Sequence, residues 1–231
     1  MSMPDSSSNT NASPPLAIFD HDGVLVDSLA MHQDAWVEMG QRCGLPVSAE
    51  LIHETFGMTN PSIFSRIFGE ERPADELAQY SDIKEECYRS VAQGRVVLMD
   101  GVRELLDRLL AAGFRLAIGS SAVRANLELT VEACGLQGYF SSIASVEDVR
   151  RGKPDPEIFL VAAKKAGLDP RRSVVFEDAL VGIQAAKSAG SWAVGVGTTT
   201  SLAALLAAGA DEAVPNLIGY DVNALACRLT L

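Results

Sequence analysis

Apolar positions change their spacing along this chain, and each change marks a new kind of segment. Leu16 to Phe19 is a short unbroken apolar run that stops at Asp20, the pattern of a strand buried on both faces. From about Ser28 to Val96 apolar residues recur every three to four positions, which predicts helices. In SLAMHQDAWVEMGQRCG, Met31, Ala35, Met39 and Cys43 share one face and Gly44 provides the stop. PSIFSRIFG and ADELAQYSDIKEECYRSVAQG continue that spacing, with no strand pattern between them.

Beyond this stretch the period alternates. GVRELLDRLLAAG reads as a helix, FRLAIGS as a strand, AVRANLELTVEACG as a helix and FSSIASV as a short strand. PEIFLVAAKKAG, SVVFED, ALVGIQAAKSAG and WAVGVG repeat the alternation, and LAALLAAGA gives a last clear helix. Strands and helices alternating at this length predict a parallel sheet with helices on both faces.

Composition narrows the picture. Of 231 residues, 48% are apolar, enough for a sizeable core. The formal charge of −11 makes the chain a poor partner for nucleic acid or anionic lipid, and no run is apolar enough to span a bilayer. The Ser/Asn/Pro-rich stretch of residues 1–14 lacks the apolar core of a signal peptide and reads as a disordered tail. Cys43, Cys87, Cys134 and Cys227 form no C-x-x-C pair and read as buried free thiols of a cytoplasmic protein. His21, His32 and His53 show no metal-ligand spacing.

Ligand sites of open parallel sheets lie outside the carboxyl ends of the strands. There the first strand presents Asp20 and Asp22, the second Ser120 and Ser121, the segment after the third Lys153, and the fourth Glu177 and Asp178. Helix capping accounts for several of these singly. It does not call for a lysine, nor for a second carboxylate beside the first. An EF-hand reading of Asp20–Asp22 fails, because its fifth, sixth and twelfth positions hold Val24, Leu25 and Met31. GVGTTT lacks the third glycine of a dinucleotide fingerprint and the lysine of a P-loop.

In order, FDHDGVLVDS, AIGSS, GKPDPEIF and FEDALVGIQAAKSAG resemble the motifs of the haloacid dehalogenase-like (HAD) superfamily, nearest its β-phosphoglucomutase-like branch. The resemblance covers Leu16 to about Gly197. It implies a Rossmann-like α/β core with a small all-helical cap domain inserted after the first strand. The expected domains are a core of residues 15–27 and 97–231 and a cap of residues 28–96. It implies Asp20 as nucleophile, Asp22 as general acid and then base, and Ser120 and Lys153 on the transferring phosphoryl group. Mg²⁺ would be held by Asp20, the Asp22 carbonyl, Glu177 and Asp178. Ser121, His32, Asn60 and Lys84 would face the substrate.

Crowding with Asp20 is expected to keep Asp22 protonated near neutral pH. His21 is expected to point away, with no role. Asn60 stands where β-phosphoglucomutases carry a phosphate-clamping arginine. The expected activity is therefore Mg²⁺-dependent hydrolysis of a small phosphorylated metabolite, a sugar phosphate first, by a cytoplasmic monomer, a dimer being the alternative. β-Phosphoglucomutase and a catalytically idle binding protein are the rivals.

Overall fold

A computed structural model describes residues 13–55, 60–69 and 72–229. The expected tail, up to residue 12, and residues 56–59 before Asn60 lie outside them. The elements run β1 (Leu16–Phe19), α1 (Leu29–Cys43), α2 (Ala49–Glu54), α3 (Asn60–Phe68), α4 (Ala74–Ala92), α5 (Val102–Ala111), β2 (Arg115–Gly119), α6 (Arg124–Ala133), β3 (Phe140–Ala144), α7 (Glu157–Ala166), β4 (Ser173–Glu177), α8 (Leu180–Ser188), β5 (Trp192–Val196), α9 (Leu202–Ala207), β6 (Glu212–Val214) and α10 (Val222–Leu229). The last strand and helix were not anticipated from the sequence. β6 is three half-buried residues at the sheet edge, too short for a periodic signal.

The six strands are ordered β3-β2-β1-β4-β5-β6, and every pairing is parallel. β1 is where the strand order reverses, the place at which such sheets open a crevice. Its four residues are fully buried and alternate between two cores. Ala17 and Phe19 join Leu106, Leu127, Phe176 and Leu225 on the face covered by α5, α6 and α10. Leu16 and Ile18 join Phe159, Ile183 and Leu205 on the face of α7, α8 and α9. Phe19 stacks on Phe176 at 4.8 Å. Truncating either ring would cost about 3–5 kcal/mol and loosen the two strands that end in the candidate site.

The helical stretch α1–α4 follows a tight turn. α1 buries Met31, Ala35 and Met39 as expected, with Trp36 beside them, and Gly44 ends it in a left-handed cap. The chain segments leading out to these helices and back again are tied together. Val26 bridges Leu98, and Met99 N–H donates to Leu25 O at 2.9 Å. The buried-thiol expectation fails at Cys227, which is exposed, while Cys87 is buried and Cys43 and Cys134 are half-buried.

Candidate active site

The β1–β4 register pairs Phe19 with Phe176, and Asp20 N–H donates to Phe176 O at 3.0 Å. One residue further, Asp20 therefore meets Glu177 and Asp178. Carboxylate oxygens of all three lie within 4.8 Å of one another. Lys153 reaches in from the loop before α7, its ammonium 3.0 Å from Asp20 Oδ1 and 2.6 Å from Glu177 Oε1. Glu177 Oε2 accepts from Ala179 N–H at 2.8 Å, so both Glu177 oxygens are occupied. Its carboxylate rests on Gly182, where a Cβ would come within 1.7 Å. Asp178 accepts a hydrogen bond from Thr199 at the end of β5.

Three buried carboxylates against one ammonium leave two negative charges uncompensated. Burial and the neighbouring carboxylates push Asp178 up to about 8. Burial raises Asp20 to about 6 against the opposing pull of Lys153. Asp20 Oδ1 is buried and faces the Lys153 ammonium at 3.0 Å, while the same ammonium donates to Glu177 Oε1. Hard oxygens with an excess of two negative charges fit a divalent cation of the Mg²⁺ type.

Gly23 is required beside this cluster. Its φ is +74°, and a Cβ there would sit 2.1 Å from Asp178 Oδ2. Ser120 is buried one strand away, its hydroxyl accepting from Ala122 N–H at 3.3 Å. Ser121 is exposed, and among the described residues no hydrogen bond ties it to the site.

Two expectations around Asp22 are corrected. β1 ends at Phe19, and residues 20–25 form a turn in which His21 O accepts from Leu25 N–H at 2.9 Å and Val26 N–H at 3.1 Å. Strand alternation no longer applies there. His21 folds inward, with Nδ1 3.0 Å from Asp22 Oδ1 and Nε2 2.7 Å from Thr130 Oγ1. Asp22 is also not kept protonated by crowding. Burial would raise it, but the two neighbouring histidines, His21 first and then His32, outweigh that and hold it well below the usual carboxylate range. His21 moves up in turn: burial opposes its charge, and the Asp22 carboxylate prevails.

The remaining candidates form a chain leading away from Asp22. Ser28 donates to Asp22 Oδ1, and His32 Nε2 lies 3.3 Å from the same oxygen. His32 stacks on Tyr88 and accepts at Nδ1 from Lys84 Nζ, 3.0 Å away; a lysine can only donate, so Nε2 carries the hydrogen toward Asp22. Lys84 is buried and pairs with Glu85 at 2.8 Å. Glu85 also accepts from Asn126 at 2.7 Å and from Asn60 at 3.5 Å. The sequence reading missed Ser28, Glu85, Asn126, Thr130 and Thr199. Only Ser28 and Thr199 carried a signal, lying within or just beyond motifs at strand ends.

A lysine-bridged carboxylate cluster at the switch point of a parallel sheet defines an α/β protein whose strand ends gather oxygen groups able to face a cation. The chain belongs to the haloacid dehalogenase-like hydrolase family, which matches residues 15–190. It is 32% identical over 183 residues to the fructose-1-phosphate phosphatase of Escherichia coli, covering 78% of this chain and 94% of that protein. It is 33% identical over 172 residues to the chloroplastic 5-amino-6-(5-phospho-D-ribitylamino)uracil phosphatase of Arabidopsis thaliana, covering 74% of this chain but 46% of that longer protein. A solved HAD hydrolase of family IA, variant 3, from Entamoeba histolytica superposes with a TM-score of 0.83 at 26% identity, covering 94% of this chain and 100% of that one. A solved β-phosphoglucomutase shares the fold.

Proposed function

We propose that the protein is a Mg²⁺-dependent phosphomonoester hydrolase acting on a small phosphorylated metabolite, with sugar phosphates as the substrate class. The observation that carries this reading is the Lys153 ammonium between Asp20 and Glu177 at the end of β1. Asp20 is the nucleophile, and the Lys153 charge offsets the repulsion between its carboxylate and an incoming phosphate. Mg²⁺, held by Asp20, the Asp22 carbonyl and Asp178 with Glu177 beside them, would supply the remaining positive charge. Ser120 orients the phosphoryl oxygens. An aspartyl-phosphate divides the hydrolysis into two easier steps.

Asp22 donates a proton to the leaving oxygen and later takes one from water. Ionised when no substrate is near, it regains its proton as an anionic phosphate approaches, because a like charge raises a carboxyl pKa. Residues 28–96 act as a cap that excludes water. Nothing in the composition calls for export, and among the described residues no helix is long and apolar enough to cross a membrane; a cytoplasmic monomer is the working assembly.

Hydrolysis is favoured over mutase chemistry by the cap's charges. A mutase must grip a second phosphate, yet Asn60 and Lys84 are both turned to the Glu85 carboxylate, which cancels the lysine's charge, and Arg66 is exposed. The test is phosphate release from fructose 1-phosphate and other sugar phosphates. Activity should need Mg²⁺, vanish in EDTA and be lost in Asp20→Asn. Turnover by Asp20→Asn, or none by the wild type across the panel, refutes the reading and in the second case favours the idle binding protein.

A further inference from the structure

The residue between the two aspartates is a histidine, and its ring is fully buried. Three donors, His21 Nδ1, His32 Nε2 and the Ser28 hydroxyl, converge on Asp22 Oδ1. Among the described residues none reaches Oδ2. The Asp22 side chain is 33% exposed, so Oδ2 is the oxygen left open. The three donors differ in what anchors them. Ser28 and His32 stand at the start of α1, and His32 is tied on through Lys84 to α4; their hold follows those helices. His21 is fixed by its own turn and by Thr130, which is buried on α6 and lies 109 residues away. α6 packs on the sheet through Leu127. This anchor belongs to the sheet side of the molecule.

We propose that His21, seated on Thr130, is a positioning residue that fixes the Asp22 carboxylate with Oδ1 saturated and Oδ2 presented for proton transfer. This rests on Asp22 being the acid and base of the proposed reaction. In the first step an Asp20 oxygen bonds to phosphorus, the bond from phosphorus to the leaving oxygen breaks, and the proton on Asp22 Oδ2 passes to that oxygen. In the second, water bonds to phosphorus and gives a proton to Oδ2 as the Asp20–phosphorus bond breaks. A carboxylate free to rotate would offer either oxygen at a poorer angle, and aligned proton transfer contributes on the order of 10²–10⁴ in rate.

The test compares kcat/KM for phenyl phosphate and p-nitrophenyl phosphate, two ligands of similar shape. p-Nitrophenolate leaves without a proton, whereas phenolate needs one. His21→Leu should lower kcat/KM for phenyl phosphate about tenfold and leave that for p-nitrophenyl phosphate within about twofold. His21→Asn keeps a donor near the Nδ1 position and should recover most of the loss. Thr130→Val is nearly isosteric and should show the same selectivity more weakly, which keeps the proposal testable if His21→Leu does not fold. Equal losses on both substrates, no loss, or Asn no better than Leu overturns the proposal. Asp22→Ala is run beside them. If it loses phenyl phosphate turnover selectively and the His21 and Thr130 variants do not, positioning alone falls. If it shows no selectivity, the acid role of Asp22 falls and positioning with it.

Discussion

Removing divalent metal while raising the pH should unfold this protein more easily, because the carboxylate cluster is stable without a cation only when protonated. Asp178 is 5% exposed, so solvent screens it little, and it faces Asp20, Glu177 and Thr199. Its carboxyl moves from an ordinary 3.8 to about 8 on folding, through burial first and the adjacent carboxylates next. A folded-state pKa above the unfolded one stabilises the protein fully below pH ~4. That contribution drains away as the pH rises through about 8, since the folded state holds a proton the unfolded state has released. At ~1.4 kcal/mol per tenfold change in proton affinity, Asp178 alone accounts for on the order of 5 kcal/mol. Asp20 and His21 also rise on folding and act in the same direction. A bound cation removes the penalty by favouring the ionised form, so Mg²⁺ should stabilise more at pH 8 than at pH 5.

Thermal unfolding in EDTA and in Mg²⁺, from pH 5 to pH 9, reads this directly. For a chain of this size 1 kcal/mol moves Tm by about 2–4 °C. The gap between the two curves should therefore open by on the order of 10 °C across the range. Asp178→Asn, which cannot ionise, should close most of it and so separates the cluster from the histidine. A Tm in EDTA that is flat with pH, or a Mg²⁺ gain equal at pH 5 and pH 8, would show that these carboxylates do not carry the excess charge argued for them.

Gly23→Ala should lower Mg²⁺ affinity at least about tenfold by titration calorimetry with an unchanged far-ultraviolet circular dichroism spectrum, since the new Cβ would stand 2.1 Å from Asp178 Oδ2 at a φ of +74°. With β-glucose 1-phosphate, the wild type should release inorganic phosphate faster than it forms glucose 6-phosphate, and Asn60→Arg should shift that ratio toward glucose 6-phosphate, a charge-assisted contact being roughly twice as strong as a neutral one. Glucose 6-phosphate dominating in the wild type would restore the mutase reading.

The parts of this molecule that could be read in advance are those in which one residue's neighbours along the chain decide its surroundings. LAIF is buried because it is an apolar run with nothing polar in it, and the carboxylate that follows must emerge at the strand's end. Four such strand ends meet at one edge of a parallel sheet whatever the helices do, so Asp20, Lys153, Glu177 and Asp178 were legible together. His21 was not, although it sits inside the plainest motif in the chain. Its orientation depends on where the strand stops and on the turn that follows, closed where His21 O accepts from Leu25 and Val26 N–H. Its anchor, Thr130, lies on a helix face that also packs Leu127, and nothing about a threonine in a helical pattern marks it as the partner of a histidine. The same holds for Glu85, which reads as one more acid in KEEC until α4 is laid against Asn126 on α6. That placement turns an unremarkable surface charge into the group that occupies Lys84. The protonation state of Asp22 follows the same logic. The aspartates' spacing alone points to a raised pKa, and His21, folded inward beside Asp22, together with His32 from α1 reverses its sign.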